Sequence, residues 1–168
     1  YRLLGQTVDD AAGEAFDKVG RLLGLPYPGG PAIMRAAEGS SRHDRAFPRA
    51  WLGESFDFSF SGLKTAVRRA VADAVGGRAE DREFDGSALD DADVAELAWG
   101  FQDSVVDVLA TKTIRAARES GARSVILGGG VAANSVLRDR IEEGARGIGR
   151  PLTVPRPGLC TDRSRIHI

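Results

Sequence analysis

The chain has 168 residues, 42% hydrophobic and 28% charged, with 23 basic against 24 acidic side chains and a formal net charge of −1. This is the composition of a soluble globular domain. It excludes a membrane span, which needs roughly 18 to 20 apolar residues in a row, and a disulfide scaffold, because Cys160 is the only cysteine.

A reducing cytosol is the default compartment for such a chain. The start, Tyr1-Arg2-Leu3-Leu4-Gly5-Gln6, lacks the basic and apolar regions of a signal peptide. The absence of an initiator Met and the abrupt start suggest a piece of a longer chain. Near-zero net charge gives no overall pull toward nucleic acid, although a local basic patch is compatible with it.

Residues 1–8 read as a short strand or a strand's end. From Asp9 the period changes: Ala12, Ala15, Phe16, Val19, Leu22 and Leu23 recur at helical spacing, with Asp9 and Asp10 suited to cap the start and Gly24 and Pro26 to end it. Tyr27-Pro28-Gly29-Gly30-Pro31 is a rigid turn leading into a helix from Pro31 to about Glu38. Residues 39–58 look irregular, and Phe56-Asp57-Phe58-Ser59-Phe60 alternates like a strand edge. A helix over about 61–75 precedes a charged, glycine-bearing loop at 76–90.

A long helix is predicted over about 91–120, on a face of Val94, Leu97, Ala98, Phe101, Val105, Val108 and Leu109. Ser124-Val125-Ile126-Leu127 is a buried strand running into Gly128-Gly129-Gly130. A helix over about 132–143 follows, with Gly144 as its stop, and Leu152-Thr153-Val154 is a last strand. Helix, strand, glycine turn, helix, strand is α/β grammar, and the turn lies at the carboxyl end of a strand, where such sheets bind ligands.

That glycine turn is the first candidate site. Three glycines allow close backbone approach, and the helix after them offers free amides to a phosphate or oxyanion. No Lys-Ser or Lys-Thr follows, so it is not a P-loop, and the G-x-G-x-x-G spacing is absent. Asn134, early in the following helix, offers a donor and an acceptor to a ribose or base.

Asp10, Glu14 and Asp17 form a carboxylate stripe that reads first as a solvated face with an Asp17–Arg21 pair. Gly13 and Gly20 on the same helix suggest close packing against a backbone. Ser61-Gly62-Leu63-Lys64 matches S-x-x-K, but neither S-D-N nor K-T-G occurs in the rest of the chain, so a serine hydrolase is remote. His43 and His167 lack metal-ligand spacing. Cys160 reads as a small thiol, and Trp51 and Trp99 as packing residues.

Together these segments resemble one family. Thr7-Val8-Asp9-Asp10-Ala11-Ala12-Gly13-Glu14-Ala15-Phe16-Asp17-Lys18 with Leu22-Leu23-Gly24-Leu25 and Tyr27-Pro28-Gly29-Gly30-Pro31 is similar to the central motif of the tRNA N(6)-adenosine threonylcarbamoyltransferases, formerly called glycoprotein endopeptidases. Phe58-Ser59-Phe60-Ser61-Gly62-Leu63-Lys64-Thr65 matches a second motif. Gly129-Gly130-Val131-Ala132-Ala133-Asn134 with Leu137-Arg138 matches a third, and Leu159-Cys160-Thr161-Asp162 a fourth.

The resemblance implies an actin-like ATPase fold of two ribonuclease-H-like lobes, of which residues 1–162 would be an incomplete carboxyl-terminal lobe. It implies transfer of the threonylcarbamoyl group from threonylcarbamoyl-adenylate to the exocyclic amine of adenosine 37, in tRNAs reading codons that begin with A. Carried over by motif, Asp17 would contact the ribose hydroxyls, Gly30 would lie against the nucleotide, and Asn134 would hold the adenosine. Asp162 would ligate a divalent metal ion, iron or else zinc. The partners implied are tRNA, the adenylate and the companion proteins that make it, in the cytoplasm.

Two departures stand out. The family's other metal ligands, two histidines four apart in its amino-terminal lobe, have no counterpart in this chain. The tail Arg163-Ser164-Arg165-Ile166-His167-Ile168 also departs from the family's continuation after Asp162. The isolated chain is therefore expected to be inactive, and a nucleotide-binding or partner-binding module without catalysis is the alternative.

Overall fold

The computed structural model describes residues 2–76 and 86–155. Asp162, Cys160, His167, the 163–168 tail and positions 77–85 of the expected loop lie outside the described residues. Five helices account for just over half of the described residues: α1 Ala12–Leu22, α2 Gly29–Glu38, α3 Ser61–Val75, α4 Asp91–Glu119 and α5 Ser135–Gly147. Two short strands, β1 Val125–Ile126 and β2 Leu152–Thr153, pair in parallel with Val125 opposite Leu152. The mixed α/β class predicted from the sequence is what forms.

The core is built on α4. Its length follows from a 29-residue run without proline, capped at Asp90, whose side chain accepts the Asp93 amide. α2, α3 and α5 all pack against it. Phe101, fully buried at its centre, meets the edge of the Phe16 ring from α1 at 5.1 Å between centroids. No helix among the described residues is long and apolar enough to cross a membrane.

α3 and α4 lie where periodicity placed them. Three other predictions need correcting. The first helix begins at Ala12, because Asp9 does not cap it. The Asp9 carboxylate instead accepts the Phe60 amide at 2.8 Å and the hydroxyls of Ser59 and Ser61, so it caps the start of α3 from a distant segment. The residue 1–8 strand reduces to one parallel bridge, Thr7 with Phe58, flanked by Phe58 N–H to Gln6 C=O and Val8 N–H to Phe58 C=O, each 2.8 Å.

Gly144, expected to stop the last helix, sits inside α5. A Cβ there would lie 2.6 Å from Ile114 Cγ1, so the glycine is a contact point between α5 and α4. The helix runs on to Gly147.

The Asp9 arrangement has a pH consequence. Burial acts against its charged form, but hydrogen bonds from Ser59, Ser61 and the Phe60 and Ser61 amides outweigh it and hold the carboxyl down at about 2. A lowered pKa adds stability that is complete above the ordinary 3.8 and disappears as pH falls through about 2. Asp9→Asn is therefore expected to be less stable than the wild type near neutrality. In an acid denaturation series the two should converge as pH approaches about 2; a gap independent of pH would contradict the assignment.

Candidate nucleotide site

The carboxylate stripe of Asp10, just before α1, and Glu14 and Asp17 within it divides by partner. Lys18 Nζ lies 2.6 Å from Asp10 and 2.8 Å from Glu14, tying both to one ammonium at the surface. Asp17 does not pair with Arg21. Its Oδ1 accepts the Gly29 amide at 2.8 Å, across the junction of α1 and the first turn of α2. This anchors the helix start with a charge-assisted bond, in place of a local cap.

The two helices meet at glycines. A Cβ on Gly20 would lie 2.9 Å from Gly29 Cα, and one on Gly29 would lie 2.4 Å from the Phe16 carbonyl oxygen and 2.6 Å from Asp17 Cα. The close approach expected from the glycines of α1 is therefore real at Gly20, and its partner is α2. The Tyr27–Pro28 peptide, just before this contact, is cis.

The glycine turn after β1 folds differently from the helix predicted there. Gly129 takes φ +82, a single 3-10 turn spans Gly130–Ala133, and α5 starts only at Ser135. Asn134 is its cap: Oδ1 accepts the Leu137 amide at 2.9 Å, and Nδ2 donates to Gln102 Oε1 of α4 at 2.8 Å. Asn134 is only 8% exposed, so both ends of its amide are held inside the protein.

These pieces converge. Asp17, Gly30 and Asn134, from three separate segments, line one cavity of about 180 Å³ together with Phe16, Met34 and Val131. A Cβ on Gly30 would meet nothing within 4 Å, so no packing inside the protein requires glycine there. The missing side chain leaves free space in the cavity wall. Met34, one turn along α2 from Gly30, was not singled out from the sequence, although the i,i+4 spacing puts it on the same face.

A second cavity of about 300 Å³ adjoins the turn. It is lined mostly by apolar groups, among them Leu3, Phe58, Phe60, Leu109, Leu127 and Leu137. The serine–lysine reading finds no support at α3, where the Ser61 hydroxyl donates to Asp9 at 2.7 Å. Trp99 packs as expected, with its ring stacked on His43 at 4.8 Å.

The family model for tRNA N6-adenosine threonylcarbamoyltransferase, TsaD, matches residues 1–165. The chain belongs to this family. The transferase of that name from Thermomicrobium roseum is 52% identical over 173 residues, covering 98% of this chain and 46% of the relative. Those from Dehalococcoides mccartyi and Moorella thermoacetica are 48% and 50% identical over 167 and 164 residues, each covered to 45% of its length. The chain thus spans a little under half the length of the threonylcarbamoyltransferases it matches.

Among the described residues no three His, Cys, Asp or Glu side chains converge on a point that could hold a metal ion. The described part therefore does not fit a metal by itself. What it offers chemically is a carboxylate, an oriented amide and a glycine-lined gap around one cavity.

Proposed function

We propose that this chain is the nucleotide-holding part of a threonylcarbamoyltransferase of actin-like fold, an incomplete carboxyl-terminal lobe spanning residues 1–162. The observation that carries the reading is the meeting of Asp17, Gly30 and Asn134 at one cavity. The name of the relatives, tRNA N6-adenosine threonylcarbamoyltransferase, supports the reaction class, and the resemblance of the motifs suggests the roles.

In the reaction, the exocyclic amine of adenosine 37 attacks the carbonyl carbon of threonylcarbamoyl-adenylate. A nitrogen–carbon bond forms, the carbon–oxygen bond to phosphate breaks, and AMP leaves while the amine gives its proton to solvent. Asp17 has one oxygen engaged by Gly29 and the other available to accept from ribose hydroxyls. Gly30 leaves room for the nucleotide, and Asn134 holds the adenosine. These groups orient the acyl-adenylate, and such positioning is a large part of catalysis in group transfer.

A divalent metal, iron or zinc, would act as a Lewis acid on the acyl-adenylate. Asp162 is the residue of this chain assigned to it, with the other ligands coming from the remaining half of the protein. tRNA, companion proteins that make the adenylate, and a cytoplasmic setting complete the reading.

Gly30→Ala tests it. Alanine in a helix is favoured over glycine by up to about 1 kcal/mol, and its methyl meets no protein atom, so the fold should be unharmed or slightly more stable. AMP binding by calorimetry should nevertheless fall, because the methyl enters the cavity. Unchanged AMP affinity in Gly30→Ala would remove the nucleotide from this cavity. The coverage of the relatives favours a second reading for the chain on its own, binding without turnover. Transfer to unmodified tRNA by this chain alone would overturn that reading.

A further inference from the structure

The direction of the Asn134 amide is fixed by a donor that cannot change. The Leu137 backbone N–H can only donate, so the Asn134 side chain must turn Oδ1 toward it and Nδ2 the other way. Facing Nδ2 is Gln102 of α4, which is 4% exposed and accepts through Oε1 at 2.8 Å. Gln102 does not line the cavity. Its neighbours on α4 are Phe101, packed against Phe16, and Asp103, paired with Arg49, so its backbone is held firmly.

A buried amide with only one partner keeps some freedom to tilt, whereas one held at both ends does not. Within the nucleotide reading proposed above, on which this inference rests, we propose that Gln102 is a positioning residue. It locks the Asn134 amide so that the remaining Nδ2 hydrogen and the remaining Oδ1 lone pair meet the adenosine in one fixed orientation. The affinity it governs is that of the adenine base of the adenosine, which AMP carries and ribose 5-phosphate lacks, and not that of the ribose held by Asp17.

The test is calorimetry of the wild type, Gln102→Leu and Gln102→Glu with AMP and with ribose 5-phosphate. Gln102→Leu removes the acceptor; Gln102→Glu keeps one. Gln102→Leu should weaken AMP about tenfold, leave ribose 5-phosphate unchanged, and be rescued for AMP in Gln102→Glu. Equal weakening for both ligands in Gln102→Leu would indicate a merely structural role and overturn the proposal, as would no weakening for AMP. Side-chain amide NMR separates this failure from that of the nucleotide reading. If wild-type AMP affinity is absent while the Asn134 amide signals still shift on Gln102→Leu and recover in Gln102→Glu, the nucleotide reading is wrong and the proposal falls with it. If AMP binds and those signals do not move, only the positioning role is overturned.

Discussion

Asp17→Ala is expected to weaken AMP binding by about ten- to a hundredfold and to destabilise the protein at the same time. The first effect is the loss of the carboxylate proposed to accept ribose hydroxyls, since a hydrogen bond to a charged group contributes roughly 1.5–3 kcal/mol and each 1.4 kcal/mol is tenfold in affinity. The second follows from the Gly29 amide, which loses its 2.8 Å acceptor at the start of α2. Removing that partner should cost stability in the same range of about 1.5–3 kcal/mol.

Asp17→Asn separates the two effects. It retains an oxygen for Gly29, so thermal unfolding should sit near that of the wild type, while AMP affinity still drops through loss of the charge. Full AMP affinity in Asp17→Asn would mean that the carboxylate serves only the helix junction.

Gly29→Ala should give the largest stability loss, about 3 kcal/mol or more in chemical denaturation. Propensity alone points the other way, favouring alanine in a helix by up to about 1 kcal/mol. Geometry decides the sign. The added Cβ would stand 2.4 Å from the Phe16 carbonyl and 2.6 Å from Asp17 Cα, both backbone atoms with no rotamer to move away. Overpacking in a tight contact typically costs about 1–3 kcal/mol, and here α1 and α2 must also part. Their separation would stretch the Asp17–Gly29 bond and open the cavity, so AMP binding should be lost along with stability. The contrast with Gly30→Ala, one residue on, is the sharper measurement, because there the stability and affinity changes have opposite signs. A Gly29→Ala protein as stable as the wild type would refute the contact.

Much of this was legible in the sequence, for reasons that differ by element. α3 and α4 carry long apolar periods and clean ends, with Gly76 at φ +70 closing the first and Asp90 capping the second. Helix beginnings were less readable, because an Asp before a helix signals a cap without saying which helix it caps. Asp9 serves α3, fifty residues on, and only tertiary contact could reveal that.

Gly144 misled because a glycine that ends a helix and one that admits a neighbouring side chain look alike in one dimension. At the candidate site, the motifs point to Asp17, Gly30 and Asn134, and the structure brings the three to one cavity. Gln102 was hidden. α4 is buried on several sides, so a polar residue beside Phe101 could be read as solvent-facing until Asn134 was found opposite it.

The long helix α4 also acts as a gauge. The cavity has walls on α1, on α2 and on the turn leading into α5, and both α2 and α5 rest on α4. The α2 and α5 walls cannot separate unless one helix leaves that support, so the gap between these two is held by a single stiff rod. A pocket braced in this way loses little conformational freedom when a nucleotide enters. Under the proposed reading, a ligand would then enter and leave without any change in the spacing of α2 and α5.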